Sequence, residues 1–124
     1  MLLTFTGCSK SQTQLSNSPE SKQVVENYFK YWNGKNGKAI LSTLTERYAT
    51  SKMDWEFENL KSVKLNSIKE ESNTELVVIY RVKFAIKKKK NGIGSLNSGN
   101  YTWSFTVIRK DKNSPWLIDN YGEG

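Results

Sequence analysis

The sequence has no histidine, a single cysteine and few arginines, and each scarcity excludes a class of chemistry. Without histidine the chain lacks the commonest general acid–base group and all imidazole metal ligands. With Cys8 alone it can form no internal disulfide, cysteine-based zinc cluster or Cys–His nucleophile. No run of about 18 apolar residues occurs, so no membrane-spanning helix is predicted. We therefore expect no metal site and no cofactor.

What is present suits one folded domain with a basic surface. The 124 residues are 36% hydrophobic and 12% aromatic, which is too apolar for a disordered chain. The net charge of +7 favours anionic partners. Arginine, which recognises phosphate and guanine in a bidentate manner, occurs only at Arg47, Arg81 and Arg109. The lysine-rich balance predicts a solvated basic surface and no specific nucleic-acid recognition.

The first residues are typical of a membrane anchor. A short apolar stretch ends in Thr6-Gly7-Cys8, and a tract rich in Ser, Gln and Asn follows. This arrangement resembles the lipobox of bacterial lipoproteins, in which a small residue precedes a cysteine that receives diacylglycerol. The resemblance implies that residues 1–8 are a truncated lipoprotein signal segment, that Cys8 is lipidated and that residues 9–19 form a flexible tether. The protein would then be anchored at the extracytoplasmic face of the cell membrane. The alternative is a cytosolic protein with an incidental cysteine.

Two helical segments are predicted after the tether. Ser18 as N-cap, Pro19 at the first helical position and Glu20 in the first turn predict a helix start. Apolar side chains then recur at helical spacing up to Trp32, and the dipeptide Asn33-Gly34 predicts a left-handed end. A second short helix is predicted for residues 38–45. Between residues 48 and 60 the pattern fits either a helical turn or a covering loop.

From Leu60 the apolar period changes to two, which predicts strands. The first strand breaks its parity near Ile68, as a bulge would. Further strands are predicted at residues 75–88, 101–107 and 116–119, joined by short turns. One face of each strand is polar, so the other face should pack against the helices in an antiparallel α+β domain over residues 20–124. Five inward positions are predicted on the strongest strand: Val78, Tyr80, Val82, Phe84 and Ile86.

This order of elements carries a family resemblance. The helix pair, the curved sheet and the closing segment Ser114–Gly122 resemble the nuclear transport factor 2-like (cystatin-like) cone. Val24–Trp32 and Glu58–Ile68 are similar to small uncharacterised lipoproteins of low-GC Gram-positive bacteria. The resemblance covers Glu20–Gly122 and implies the fold, but it brings no catalytic residues because this fold hosts unrelated functions.

Candidate site residues follow from that fold. Enzymes of the superfamily place an acid with tyrosine or histidine partners inside the cone. Here the candidates are Asp54 with Tyr28, Tyr48 or Tyr80, against the favoured alternative of a surface acid and core tyrosines. Five aromatic residues are candidates either for lining an apolar pocket or for filling the core. They are Tyr28, Trp32, Trp103, Phe105 and Trp116.

Two motifs offer no binding site. The glycine-containing segment at residues 91–95 lacks the following helix that a phosphate loop needs, so it is predicted to be a hairpin connection. Glu70 and Glu71 are adjacent on a strand and point to opposite sides, which makes a poor calcium site.

The densest charge of the chain is the run Lys87, Lys88, Lys89 and Lys90. It is either a solvated hairpin tip or a contact surface for anionic lipid or wall polymer. The sequence as a whole predicts a lipid-anchored extracytoplasmic binding or accessory module without catalytic machinery and with an unknown protein partner. The alternative is a cone of the same superfamily that binds a small apolar ligand or acts on it as an enzyme.

Overall fold

In a computed structural model that describes residues 19–50, 55, 57–92 and 96–123, three helices precede a sheet of four strands. The strands pair antiparallel in chain order, β1-β2-β3-β4. The predicted α+β class, with N-terminal helices on an antiparallel meander, is confirmed. The helices are α1 (Glu20–Asn33), α2 (Gly37–Leu41) and α3 (Glu46–Ala49), followed by a 3-10 turn at Phe57–Asn59. The strands are β1 (Leu60–Asn73), β2 (Val77–Lys88), β3 (Gly99–Ile108) and β4 (Leu117–Glu123).

Helix α1 lies across the sheet and is fixed to it at both ends. Near its start the Ser21 hydroxyl pairs with the buried Tyr80 hydroxyl at 2.7 Å. At its end the Asn33 side-chain oxygen accepts a hydrogen bond from the Val63 N–H at 2.9 Å. Pro19 takes the N-cap position, one residue later than predicted, and the predicted cap Ser18 lies outside the described residues. The buried face of the helix consists of Ser21, Val25, Tyr28, Phe29 and Trp32.

The left-handed residue after α1 is Lys35 and not Gly34, so the predicted position was wrong by one residue. Gly34 has φ −81°, whereas Lys35 has φ 57°. The N–H groups of Gly34 and Asn36 are hydrogen-bonded to carbonyls of the last helical turn, which fixes the chain reversal. A side chain in this region clashes with its own backbone, at a cost of about 1–2 kcal/mol.

We expect Lys35→Gly to raise the free energy of unfolding by roughly 0.5–1 kcal/mol. Glycine removes the left-handed strain, and its greater freedom in the unfolded chain offsets part of the gain. Urea denaturation of the two proteins measures the difference. Gly34→Ala is the matched control and should not stabilise, because its Cβ would lie 3.3 Å from the Lys30 carbonyl oxygen. A Lys35→Gly protein less stable than wild type would contradict this account.

The predicted helix at residues 38–45 is two shorter helices in the structure. Helix α2 ends at Leu41, and α3 begins at Glu46 in a segment whose helical character the sequence pattern did not show. Each helix has a side-chain N-cap: Asn36 accepts from the Ala39 N–H, and Thr45 accepts from the Tyr48 N–H. These caps satisfy amide groups that would otherwise lack partners and stop the two helices from merging.

Strand β2 forms the centre of the inner face. All five of its predicted inward residues are buried. β1 runs beside it with three register shifts, one of them between Leu65 and Ser67, which confirms the bulge predicted near Ile68. β3 begins at Gly99, two residues before its predicted start. β4 extends beyond the predicted segment to Glu123.

The last strand is bound on both sides. One edge of β4 pairs with β3, and the other meets the segment between α2 and α3 through a parallel bridge from Leu44 to Ile118. The Ile118 N–H donates to the Thr43 carbonyl at 2.8 Å, and the Ile118 carbonyl accepts from the Thr45 N–H at 2.9 Å. This bridge covers the sheet edge that would otherwise present unpaired backbone groups.

Candidate functional site

Three tyrosines and a tryptophan meet inside the curve of the sheet, the region in which catalytic residues of this fold are expected. The Tyr28 hydroxyl donates to the Tyr121 hydroxyl at 2.8 Å and accepts from the Trp55 indole N–H at 3.3 Å. The Tyr48 hydroxyl lies 3.4 Å from both the carbonyl oxygen and the amide nitrogen of Tyr121. We call Tyr28, Tyr48, Trp55 and Tyr121 the tyrosine cluster.

Burial favours the protonated form of the Tyr28 and Tyr121 hydroxyls in this cluster. Loss of hydration raises the pKa of Tyr121 to about 12 and raises the pKa of Tyr28 well above its usual range. The neighbouring tyrosines raise the pKa of Tyr28 further, because their negative charges would repel its own. At neutral pH these groups can donate and accept hydrogen bonds, but they are poor proton acceptors.

The proposed acid–tyrosine candidates are only partly brought together. Tyr28 and Tyr48 share Tyr121, whereas the hydroxyl of Tyr80 pairs with Ser21 at the start of α1. Asp54 lies outside the described residues. Within the described part of the chain, no group of three or more acidic, cysteine or histidine residues is placed to hold a metal ion.

The five candidate pocket residues occupy three different surroundings. Tyr28, Trp32 and Phe105 are buried in the core, where their rings contact one another or share neighbours. Trp103 is half-buried and stacks on Tyr121 with ring centroids 5.5 Å apart. Trp116 was predicted as the first residue of the last strand, but it lies just before β4. There it is half-buried and lines a surface groove of about 450 Å³ beside the start of α1.

The lysine run is fixed at the base of the β2–β3 connection and is not a loose tip. The Lys89 N–H donates to the Asn59 carbonyl, and the Asn59 side chain makes two further hydrogen bonds to the backbone of Lys90. Lys87, Lys89 and Lys90 are exposed, and Lys88 is partly so. The run therefore begins on the outer face of β2 at Lys87 and ends in a backbone segment that Asn59 holds in place.

The sequence of this domain matches a known protein family. Residues 22–78 and 73–122 match the family described as a domain of unknown function, DUF4829. The chain belongs to this family. The match includes all three helices except the first residues of α1, and it includes all four strands of the described sheet except the end of β4. No curated protein matches the sequence.

Solved structures share the fold of this DUF4829 domain. A SEC-C motif containing protein from Rhodopseudomonas palustris, RPA3114, is similar with a TM-score of 0.59 and 7% identity. The match covers 86% of this chain and 82% of that one. An NTF-2 like protein of unknown function from Shewanella oneidensis MR-1 is similar with a TM-score of 0.50 and 14% identity, over 82% of this chain and 93% of that one. This likeness confirms the nuclear transport factor 2-like fold.

Sequence reasoning did not single out Tyr121 and Trp55 in the DUF4829 domain. Ile118 is buried, so strict alternation along β4 would turn Tyr121 outward. Asp119, however, has no partner of its own on β3, because Ile118 pairs with Val107 and Asn120 with Thr106. This extra residue returns Tyr121 to the inner face. Asp119 accepts hydrogen bonds from Arg47 at 2.7 Å and Thr45 at 3.0 Å, and these hold the bulge outward. The Arg47 hydrogen bond also lowers the pKa of Asp119. An acid directly after the apolar pair Leu117-Ile118 in a short strand was the available signal.

Proposed function

We propose that this DUF4829 protein is a lipid-anchored extracytoplasmic binding module that contacts an anionic partner and has no catalytic chemistry of its own. The observation that carries the proposal is the distribution of charge along the sheet. Residues 76–110 contain no carboxylate but hold eight cationic side chains. They include β2 and β3, and the sequence 59–69, which includes most of β1, has no carboxylate either. Such a surface attracts anions and repels cations.

The tyrosine cluster on the inner face of the sheet agrees with a structural role and not a catalytic one. Its polar groups in the tyrosine cluster are already hydrogen-bonded within the cluster, and burial raises the pKa of Tyr28 and Tyr121, which keeps these two hydroxyls neutral. The charges that could attract a partner lie on the opposite side of the sheet. A role in which the core supports an outer recognition surface agrees with both observations.

The anchor rests on the N-terminal sequence. Cys8 follows a small residue at the junction of an apolar and a polar tract. Two or three acyl chains on one cysteine give stable attachment, whereas one chain binds only marginally. At about 3.3–3.6 Å per residue, residues 9–19 would span up to roughly 40 Å when extended. That length would let the domain reach beyond the headgroups.

We expect Cys8→Ala to abolish acyl labelling and to release the protein from the membrane fraction. Cells expressing the chain behind a complete lipoprotein signal sequence would be fed an alkyne-tagged fatty acid and then fractionated. Ser9→Ala, which leaves Cys8 in place, is the matched control and should label like wild type. Label that persists in Cys8→Ala, or wild-type protein found in the cytosol, would refute the anchored address.

A second candidate function is favoured by a patch of half-buried aromatic rings. Trp55 stacks on Phe57, Tyr101 contacts Trp103, and Trp103 stacks on Tyr121. All five are partly exposed and pack against the core. Such a patch could bind a small apolar ligand, the alternative function of this fold. An enzyme would in addition need an ionisable group held beside that ligand.

A further inference from the structure

The outer face of β1 and β2 carries one line of regularly spaced cations. Alternate residue pairs of the two strands face outward, and each such pair from 81 to 87 on β2 includes a lysine or arginine. We call this line the cation ladder. In order along β2 it consists of Lys87 opposite Ser62, Lys64 opposite Ala85, Lys83 opposite Ser67, and Lys69 opposite Arg81.

The ladder is exposed, and among the described residues one ion pair, at its last step, partly neutralises it. Lys64, Lys69, Lys83 and Lys87 are all exposed. The Arg81 guanidinium donates to Glu71 at 2.9 Å, and this pair closes the ladder at the end near residue 71. The other three steps lie within residues 59–69 and 76–110, which contain no carboxylate. Their charges therefore add along about 13 Å of strand, since positions 83 and 87 are four residues apart and each residue advances about 3.3 Å.

The spacing of the ladder identifies a class of ligand. Successive steps advance about 6.5–7 Å along the strands and alternate between β1 and β2, which lie about 4.8 Å apart, so the cationic side chains leave the backbone roughly 8 Å apart and their flexible stems can close to about 7 Å. In a polymer of polyol phosphates, successive phosphorus atoms are joined through three carbons and two oxygens by bonds of about 1.5 Å, so they are roughly 7 Å apart when extended. We propose that the cation ladder binds a linear polyol-phosphate polymer, with one phosphate at each step. This names the anionic partner of the proposed function, but it does not depend on the lipid anchor.

The neighbouring strand fits the same ligand. The outward residues of β3 beside the ladder are neutral hydrogen-bonding groups: Asn100, Thr102 and Ser104 lie opposite Ala85, Lys83 and Arg81. Hydroxyl and amide groups there can pair with the polyol hydroxyls between phosphates. A bilayer presents a plane of charge, so a protein that binds it gains from cations spread over its whole face. Here one line of cations lies beside a row of neutral residues, and this arrangement fits a single polymer chain.

Nucleic acid is the less suitable phosphodiester. Proteins that bind single strands stack the bases on exposed aromatic side chains. Here the strand aromatics that have been described, such as Tyr80, Phe84 and Phe105, lie on the inner face. The ladder also relies on lysine, a point charge, and its one arginine is already paired with Glu71.

The test measures binding of the full unlipidated chain to a poly(glycerol phosphate) of defined length at several salt concentrations. The ladder variant is Lys64→Gln/Lys83→Gln/Lys87→Gln. Its matched control, Lys30→Gln/Lys35→Gln/Lys38→Gln, removes the same charge from exposed positions of the helical side. Thermal melts of all three proteins confirm that folding is unchanged, since every replaced side chain is exposed.

We expect the ladder variant to lose at least about tenfold in affinity and to lower the salt slope by about two to three, roughly one for each phosphate contact. The helical control should lose less than about threefold in affinity, which is the part that screened long-range attraction supplies.

Equal losses of affinity in both variants, or no binding by wild type, would overturn the ladder. Equal or tighter binding of oligothymidylate would overturn the preference for a base-free polymer. Ladder-dependent binding to phosphatidylglycerol vesicles with none to the polymer would assign the ladder to a bilayer and refute the proposal. None of these results depends on acylation of Cys8, so failure here and failure of the anchor are separable.

Discussion

Phe105→Ala should lower the free energy of unfolding by about 3–5 kcal/mol, a large share of the stability of a small domain. Phe105 is 0% exposed, and its ring contacts those of Tyr28, Phe29 and Tyr121 at centroid distances of 5.6, 5.5 and 4.9 Å. Removing it would leave a cavity between α1 and β3 that both elements line. Chemical denaturation at neutral pH measures the loss.

Trp116→Ala provides the matched comparison for this prediction. Trp116 is a larger side chain, but it is only half-buried, and the Arg109 guanidinium covers its ring at 4.5 Å. We expect a loss of no more than about 1–2 kcal/mol, because partial burial and a surface cation–π contact each stabilise weakly. If Trp116→Ala destabilised the protein more than Phe105→Ala, the assignment of the core would be wrong.

Alkaline pH should destabilise the fold through the tyrosine cluster. The pKa of Tyr121 is about 12 in the folded protein, against its ordinary value of 10.0. Below pH 10 the hydroxyl is protonated in both states, and its contribution is fully present. As the pH rises from 10 to 12, the unfolded chain loses this proton while the folded chain keeps it. A difference of this size corresponds to about 2–3 kcal/mol of stability lost by pH 12.

Denaturant melts at several pH values from 9 to 12 test this expectation. In Tyr121→Phe the fall of stability with pH should be shallower by about one proton, or roughly 1.4 kcal/mol per pH unit. Part of the fall should persist, because burial also raises the pKa of Tyr28. Identical slopes in the two proteins would show that Tyr121 does not ionise differently on unfolding.

The fold could be predicted where one face of an element dominates its pattern. On β2 the buried and exposed residues alternate from Val78 to Lys87 without a break, so period alone identified the strand and its inner face. The site could not be predicted in the same way because it depends on departures from period. The single extra residue Asp119 decides that Tyr121 faces inward, and the hydrogen bonds that hold it come from Arg47 and Thr45, which are distant in sequence.

The end of α1 likewise could not be predicted to the residue from its sequence pattern. Glycine is the residue expected at a left-handed position, and Gly34 stands at the end of α1. The hydrogen bonds of the reversal nevertheless place the positive φ at Lys35. The cation ladder was also missed, because its members alternate between β1 and β2 and only the register of the two strands brings them into line.

The bridge between the α2–α3 segment and β4 can form only after both segments have been synthesised, so it determines when the fold is completed. The residues that it joins are far apart in sequence, 74 positions in the case of Thr45 and Asp119. Contacts at such separation form late, and β4 leaves the ribosome after the other three strands of the described sheet. Until then the partner edge of β3 and the backbone of Thr43 and Thr45 have nothing to bind. For the extracytoplasmic protein that we propose, a translocase that moves unfolded polypeptides would therefore receive a chain still open, and β4 would dock only after the whole domain had crossed.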